Sequence, residues 1–335
     1  MLSGHGDDAY QYDRTIVSNF SSNVYNQHDL SGLKSFLKGQ LDRIISYPHP
    51  EARSLQEKLA IANHLSPDNV CVTNGSIESI YLIAQLYRNK RSAILIPTFS
   101  EYADACHIYH HHVELVDTLE SPGISDLIWL CNPNNPTGKV YDKIYLKELV
   151  CRNPDTLFVF DQAYESFTLQ PLFSSEEATC FPNVILLHSM TKRFAIPGLR
   201  LGYITAHHSL IRQLRSLRMP WSVNCMAIAA GHYLLEQDGT FDIVAYLTEK
   251  DRLCKALQTI KDLEVLPSDT HFMLLRLFRG KAADLKYFLA NECGILIRDA
   301  SNFQGLDHTY FRIAAQTPSE NDTLVRAIRS WFTTF

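Results

Sequence analysis

Strand-like and helix-like segments alternate through most of this 335-residue chain. Short apolar runs such as Val70–Thr73, Leu127–Leu130 and Val184–His188 are separated by segments with the apolar spacing of helices. Parallel strands need long crossover connections, and strands that are buried on both faces are apolar along their whole length. The sequence therefore predicts an α/β fold with a mostly parallel sheet that is covered by helices on both faces.

Composition and charge exclude several classes of protein. The formal net charge is −5, so nothing predicts binding to nucleic acid or to an acidic membrane surface. No apolar run approaches the roughly 20 residues of a membrane span, and the amino-terminal residues are polar. The eight cysteines are widely spaced, and several lie in apolar strands. We therefore expect reduced, buried thiols in a cytoplasmic enzyme.

Lys192 is the strongest chemical signal in the chain. It follows the apolar run 184–187 and is flanked by the hydroxyls of Ser189 and Thr191, with Arg200 eight residues further on. A lysine amine forms a Schiff base with an aldehyde, and the two hydroxyls and the guanidinium can bind a phosphate. This arrangement predicts a phosphorylated aldehyde cofactor, and pyridoxal 5'-phosphate is the one that fits.

Two further segments end strand-like runs with polar side chains. Asn135 belongs to Asn132–Gly138, which is either a simple turn or the source of an amide donor to the ring oxygen of that cofactor. Asp161 ends a buried strand, where an unpaired carboxylate is costly. A pyridinium N–H would satisfy it and would stay protonated beside it. Tyr164 is a second candidate donor to the ring oxygen.

A glycine turn supplies a candidate phosphate cradle. Gly75 follows the strand-like segment Val70–Thr73 and precedes a predicted helix. The free backbone N–H groups of Ser76 and Ile77 would lie at the amino end of that helix, where anions bind.

The ordered set Gly75, Asn135, Asp161, Lys192 and Arg200 resembles the fold-type I pyridoxal phosphate enzymes, the aspartate aminotransferase superfamily. The resemblance covers nearly the whole chain. It implies an aspartate-aminotransferase-like fold, with a three-layer α/β/α large domain and a smaller α+β domain. It also implies catalytic roles for Lys192, Asp161 and Tyr164, and no metal.

The same resemblance predicts the domain organisation. Residues 1–40 would form an amino-terminal arm and helix that belong to the small domain. Residues 41–235 would form the large cofactor-binding domain, and residues 236–335 the small carboxy-terminal α+β domain.

Three other segments have two interpretations each. Tyr102 is either the aromatic ring that family members stack on the pyridine or a core residue. Tyr47 is either the tyrosine that reaches the cofactor phosphate of a neighbouring subunit, which requires a homodimer with shared active sites, or part of a turn. The run His110–His112 is either a metal site or a solvated strand entry, and adjacent strand side chains cannot converge on one ion.

Within the superfamily the chain most resembles threonine-phosphate decarboxylases and their sister group, the histidinol-phosphate aminotransferases. The stretch Met219–Asn224 and the early pair His5 and Gly6 favour the decarboxylases. Asp7 departs from the pattern of that group, which has glycine there, and adds negative charge near the expected site of an anionic substrate.

The resemblance implies a small phosphorylated amino acid, O-phospho-L-threonine, as substrate and 1-amino-2-propanol phosphate as product. Arg312 and Asn135 would contact its carboxylate. The residues implied around its phosphate are His5, Gly6, Asn23 and Arg298. The bond that stands perpendicular to the cofactor ring decides the reaction, so transamination of histidinol phosphate or another amino acid is the alternative. A non-catalytic regulator with this fold is a third interpretation, although the first forty residues are too short for a DNA-binding domain.

Overall fold

The computed structural model describes residues 6–119, 125–237 and 241–333, so His5 lies outside the described residues. Within these ranges the strands are β1 (Ser18–Asn19), β2 (Val70–Thr73), β3 (Arg91–Leu95), β4 (His112–Val116), β5 (Leu127–Cys131), β6 (Leu157–Asp161), β7 (Val184–Ser189), β8 (Gly202–Ala206), β9 (Leu263–Val265), β10 (Phe272–Leu277), β11 (Ile295–Leu296), β12 (Arg298–Asp299) and β13 (Tyr310–Ala314). The helices are α1 (Ser31–Lys38), α2 (Arg53–Ala62), α3 (Gly75–Leu86), α4 (Glu101–Ile108), α5 (Lys143–Arg152), α6 (Ser175–Thr179), α7 (Met190–Arg193), α8 (His208–Leu217), α9 (Cys225–Glu236), α10 (Ile243–Gln258), α11 (Ala282–Cys293) and α12 (Pro318–Thr333).

A seven-stranded sheet forms the centre of the larger part of the molecule, in the order β2-β8-β7-β6-β5-β3-β4. Its strands are parallel except β8, which runs antiparallel to both of its neighbours. One face packs against α3, α4 and α8, and the other against α2, α5, α6 and α9. The predicted α/β class and mostly parallel sheet are confirmed, and burial on both faces explains why β5 and β6 are apolar along their length.

The register of the central strands brings the predicted site residues to one edge of the sheet. Cys131, at the end of β5, is the strand partner of Asp161 at the end of β6. Asp161 in turn pairs with Leu187 of β7, five residues before Lys192. Segments that follow parallel strands leave from the same edge, where ligands of open α/β sheets bind.

The rest of the chain forms a four-stranded antiparallel sheet in the order β12-β13-β10-β9 and a two-stranded parallel pair, β1 and β11. The amino-terminal arm is attached to this part. Arg14 donates to the carbonyl oxygens of Asn291 and Glu292 at the end of α11. Asp8 forms a largely buried ion pair with Lys286, with 2.6 Å between the two charged groups. The predicted domain boundaries stay a prediction, and Leu33 of α1 packs in the same core cluster as Leu55 of α2.

The apolar pattern of the sequence predicts one strand over 294–297, but the structure divides this segment. Gly294 has φ +67° and ends α11 rather than starting a strand. Ile295 and Leu296 then pair with β1, whereas Arg298 and Asp299 pair with β13. The chain changes sheets at this point, which periodicity cannot indicate. The sequence analysis also missed the helix α8.

His111 corrects the predicted solvated strand entry at 110–112. Its ring is buried and bonds to Ser92 Oγ and to the carbonyl oxygen of Ala84, each at 2.7 Å. Burial lowers the pKa of His111. Within residues 6–119, 125–237 and 241–333 no group of His, Cys, Asp and Glu side chains could hold a metal ion.

The cysteines are only partly as predicted. All eight are free thiols, but Cys151 and Cys180 are exposed, and only Cys71, Cys106 and Cys131 are buried. Among the helices that the structure describes, none combines the length and the apolar character needed to cross a membrane.

Candidate active site

A cleft lies at the carboxyl edge of β5, β6 and β7, and β12, β13 and the amino-terminal arm form its opposite wall. The predicted site residues that line it are Gly6, Ser76, Ile77, Tyr102, Asn135, Asp161, Tyr164, Ser189, Thr191, Lys192, Arg200, Arg298 and Arg312. The structure therefore brings together residues that are up to three hundred positions apart in the chain.

Lys192 lies in the short helix α7, immediately after β7. Its Nζ donates to the carbonyl oxygen of Ser22 at 3.2 Å. Burial, with smaller contributions from Arg312 and Arg200, lowers the pKa of Lys192 to about 8. A much larger fraction of this amine is therefore uncharged at neutral pH than for an exposed lysine, and the uncharged form is the nucleophile.

Asp161 is a buried carboxylate at the end of β6. Its Oδ2 accepts the hydroxyl of Tyr102 at 2.7 Å, and its Oδ1 accepts the N–H of Ala163 at 2.9 Å. Burial raises the pKa of Asp161, and the Tyr102 hydrogen bond opposes that effect. A carboxylate accepts about four hydrogen bonds. It therefore retains acceptor capacity for a cationic ring N–H in the cleft.

Tyr102 is a core residue that also lines the cleft, and its predicted stacking on the cofactor ring stays a prediction. Its ring is fully buried and stacks on Trp129, with 5.4 Å between centroids and 16° between planes. It also lines the cleft beside Asp161. It is thus a core aromatic whose hydroxyl holds the catalytic candidate in place.

Close backbone contacts build the phosphate cradle. Gly75 has φ +76° at the start of α3, and a Cβ there would lie 2.7 Å from Nη2 of Arg200. A Cβ on Gly202 would lie 2.7 Å from the backbone nitrogen of Ser76. Both positions therefore require glycine. The predicted phosphate-binding residues Ser76, Ile77, Ser189, Thr191 and Arg200 all line the cleft, as a cradle at the amino end of a helix would require.

The donor set fits a phosphorylated pyridine aldehyde. The cleft has an anion cradle at one end, a buried carboxylate at the other and a nucleophilic lysine beside them. A purely structural role would not need the buried acid and the buried amine to face the same cavity.

Arg312 and Arg298 form the opposite wall. They are cross-strand partners on β13 and β12, so their side chains start from the same face of the sheet. Arg312 is buried and donates to Asn135 Oδ1 and to the carbonyl oxygen of Ser21. Arg298 donates to Asn302 Oδ1 at 2.7 Å and lies over the ring of Phe303. Burial lowers the pKa of both groups, that of Arg312 to about 10, so both remain cations at neutral pH.

The contact with Arg312 also orients Asn135. Because Oδ1 of Asn135 accepts from the guanidinium, its Nδ2 remains as a donor, as the predicted contact with the cofactor ring oxygen requires. Tyr164 is buried, and burial raises its pKa to about 12, so it is a neutral phenol with a hydroxyl to donate.

Three of the predicted residues that the structure describes are not on the wall of this cleft, namely Asn23, Tyr47 and Gly75, which forms the turn before Ser76. Asn23 is buried behind Tyr164 and donates to its hydroxyl at 3.3 Å, so it reaches the cleft only through that residue. Tyr47 is 86% exposed, and its ring lies 5.2 Å from that of Trp221. Its predicted role depends on a second subunit and stays a prediction.

Sequence reasoning missed several residues that line the cleft. They are Ser21, Ser22, Val24, Phe99, Ser100, Cys131, Ala163, Pro197, Asn302 and Phe303. Most of them lie within a few positions of a predicted residue, and this proximity was an available signal. Asp7 also lines the cleft, as its position beside Gly6 suggested, and its negative charge raises the pKa of Lys192 slightly against the effect of burial.

Comparison with known proteins agrees with this geometry. The family model described as aminotransferase class I and II matches residues 15–328. Threonine-phosphate decarboxylase from Salmonella typhimurium is 31% identical, over 94% of this chain and 91% of its own length. Histidinol-phosphate aminotransferase from Thermoanaerobacter is also 31% identical, over 84% of this chain and 83% of its own.

A solved structure extends the likeness to the fold. The crystal structure of L-threonine-O-3-phosphate decarboxylase from Porphyromonas gingivalis superposes with a TM-score of 0.91 at 37% identity, over 95% of this chain and 100% of that one. The predicted aspartate-aminotransferase-like fold is confirmed. The chain belongs to the class I and II aminotransferase family, and its cofactor is pyridoxal 5'-phosphate.

Proposed function

We propose that this enzyme decarboxylates O-phospho-L-threonine to 1-amino-2-propanol phosphate. The observation that carries the proposal is the pair of cross-strand guanidinium groups, Arg298 and Arg312, in one cleft with Lys192. A substrate with a carboxylate and a phosphate needs two such groups, because guanidinium forks bind both anions. The likeness to two threonine-phosphate decarboxylases, at 31% and 37% identity, supports the same substrate.

In this proposal, different residues of the cleft bind different parts of the cofactor. The amides of Ser76 and Ile77 and the guanidinium of Arg200 hold the cofactor phosphate, with Ser189 and Thr191. Asp161 accepts the ring N–H and keeps that nitrogen protonated. Asn135 and Tyr164 donate to the ring oxygen.

The second wall holds the substrate. Arg312 binds the carboxylate, and Arg298 with Gly6 binds the phosphate; His5 stays a predicted contact. Pyridoxal phosphate, when bound, supplies an electron sink for the pair of electrons that the broken bond leaves at the α-carbon. Carbon dioxide leaves without that pair, and the protonated, ammonium form of Lys192 delivers a proton to the α-carbon and becomes a neutral amine.

Transamination is the competing reaction, and the histidinol-phosphate aminotransferase relatives support it. The pure enzyme should be incubated with O-phospho-L-threonine while gas release and the cofactor absorbance are followed. Stoichiometric carbon dioxide and 1-amino-2-propanol phosphate are expected. Conversion of the cofactor to its pyridoxamine form without gas would refute the decarboxylase proposal.

Arg298 should control the affinity for the substrate rather than for the cofactor. Removal of a hydrogen bond to a charged group costs about 1.5–3 kcal/mol, so Arg298→Ala is expected to raise KM for phosphothreonine by roughly 10–100-fold. The cofactor absorbance should stay at the wild-type level. The exposed Arg326 on α12, changed to alanine, serves as the control. Equal losses of cofactor and of substrate affinity would mean that Arg298 is structural.

We also infer that two copies of the chain associate through one exposed apolar surface. Ile44 is 68% exposed, and Tyr47 is 86% exposed. The residues of this surface are Leu41, Ile44, Ile45, Tyr47, Met219 and Trp221. An apolar cluster of this kind is characteristic of an interface, and a second copy is the occupant that would bring Tyr47 to a neighbouring cofactor phosphate.

Ile44→Glu tests this surface, because a charge in an apolar interface loses its hydration without a partner. We expect the variant to sediment as a monomer and to lose cofactor affinity and activity together. Ile144→Glu is the matched control, since Ile144 is 67% exposed at the start of α5. A wild-type monomer, or a fully active monomeric Ile44→Glu variant, would contradict the shared-site dimer.

A further inference from the structure

His188 lies on the opposite face of the large sheet from Asp161. Asp161 and Leu187 are strand partners, so their side chains share a face, and the next residue of β7 points to the other face. The His188 ring is only 2% exposed and stacks on Tyr203 at 4.4 Å. The proposed mechanism does not use this buried, titratable ring.

A directed chain of hydrogen bonds fixes the proton on one ring nitrogen of His188. Nδ2 of Asn63 donates to the carbonyl oxygen of Leu59 at 2.8 Å, so its Oδ1 is the acceptor of the Ser175 hydroxyl at 3.1 Å. The only hydroxyl hydrogen of Ser175 is then used, and its oxygen accepts from Thr205 at 3.2 Å. Thr205 has also used its hydrogen. Its oxygen, 2.8 Å from Nε2 of His188, must therefore accept from an Nε2–H.

The other ring nitrogen faces a carboxylate. Nδ1 of His188 lies 3.0 and 3.1 Å from the two carboxyl oxygens of Glu165. An ionised carboxylate only accepts, so Nδ1 must also carry a hydrogen. A histidine that donates from both nitrogens is an imidazolium.

We infer that His188 is a positioning residue that donates from both ring nitrogens, to Thr205 and to Glu165, and whose positive charge behind the sheet keeps Asp161 ionised opposite the ring nitrogen of the cofactor. The inference rests on the cofactor and not on the reaction, so it holds for decarboxylation and for transamination. By this inference, the Glu165–His188 pair helps to keep the ring nitrogen of the cofactor protonated, which the electron sink requires.

The surrounding charges favour this effect. Burial raises the pKa of Asp161 most, the His188 charge lowers it, and the Glu165 charge raises it. The Glu165 side chain is 36% exposed, whereas that of His188 is 2% exposed, so water screens the carboxylate more than the imidazolium. Tyr203 stays a neutral phenol because burial raises its pKa. Arg193 is the further cation near Tyr203, and it adds positive charge to this side.

The protonation of His188 can be observed directly in the holoenzyme. In a protein with ¹⁵N-labelled histidine, both ring nitrogens of His188 should carry protons from pH 6 to pH 8, with the resonances assigned by their loss in His188→Gln. A nitrogen without a proton at neutral pH would overturn the inference. If His188→Gln does not fold, Glu165→Gln takes its place. Loss of the ionised acceptor should then release one proton from the ring.

Two variants separate the charge from the packing. With ¹⁵N-labelled cofactor, His188→Gln should lower the pH at which the ring nitrogen loses its proton, by on the order of one unit. His188→Gln/Glu165→Gln removes both charges, and its midpoint should recover part of that shift. A packing role predicts that the double variant is as damaged as the single one or more so. That result, or an unchanged midpoint in His188→Gln, would refute the charge effect.

Discussion

Substitution of Lys192 by alanine is expected to lower kcat by about 10³-fold or more, because in the proposed mechanism one amine both holds the cofactor and moves the proton at the α-carbon. Burial lowers the pKa of Lys192 to about 8, so the wild-type amine reacts at neutral pH without a separate base. The measurements are carbon dioxide release in the steady state and borohydride reduction followed by peptide mapping.

Two variants serve as controls for this substitution. Lys192→Arg keeps the positive charge but not the amine, and it should be as inactive as the alanine variant. Lys250→Ala removes another buried lysine, which contacts the carbonyl oxygen of Ser268 and does not line the cleft. It should keep the borohydride label on Lys192. A label on any other lysine of the wild-type protein would show that the site is assigned wrongly.

Asp161→Asn is expected to lower kcat by roughly 10²–10³-fold, the usual loss when one preorganised electrostatic group is removed. The amide cannot stabilise a positive charge on the ring nitrogen, although it has nearly the shape of the carboxylate. The borohydride label on Lys192 should remain, since the amine and the phosphate cradle are unchanged. Steady-state rates and the ¹⁵N shift of labelled cofactor measure the two effects separately.

Asp126→Asn provides the comparison for Asp161. Asp126 precedes β5 at the opposite edge of the sheet, where it accepts from the backbone and side chain of Arg91. Its substitution should leave kcat and the ring nitrogen unchanged. A protonated ring nitrogen in Asp161→Asn would show that another group supports the charge.

The sequence predicted those parts of the site that depend on residue type at the end of a strand. Asn135, Asp161 and Lys192 each follow an apolar run, and parallel strands deliver such residues to one edge. Arg312 was predicted only through the resemblance to a family. The structure adds that Arg312 donates to the carbonyl oxygen of Ser21, and Lys192 to that of Ser22. Every residue has such an oxygen, so no sequence pattern could indicate these contacts.

The sequence also could not predict which single polar side chains are buried. His188 lies in a predicted strand and His111 in a predicted strand entry, yet the burial of each ring depends on register and on neighbours from distant segments. The hydroxyl of Tyr102 reaches Asp161 only because β5 and α4 pack together, which sets the ring against Trp129. Spacing in one chain cannot define such partners.

The parallel pair of β1 and β11 joins Ser18 to Ile295, and the backbone of Phe20 bonds to both Leu296 and Ala314. All seven strands of the large sheet end by Ala206, so they are synthesised well before the strands that carry Arg298 and Arg312. The segment around Ser21 and Ser22 is synthesised early, whereas its partners Leu296 and Ala314 are synthesised only when the polypeptide is almost complete. The wall of the cleft that carries Arg298 and Arg312 is thus the last part of the candidate site to be synthesised.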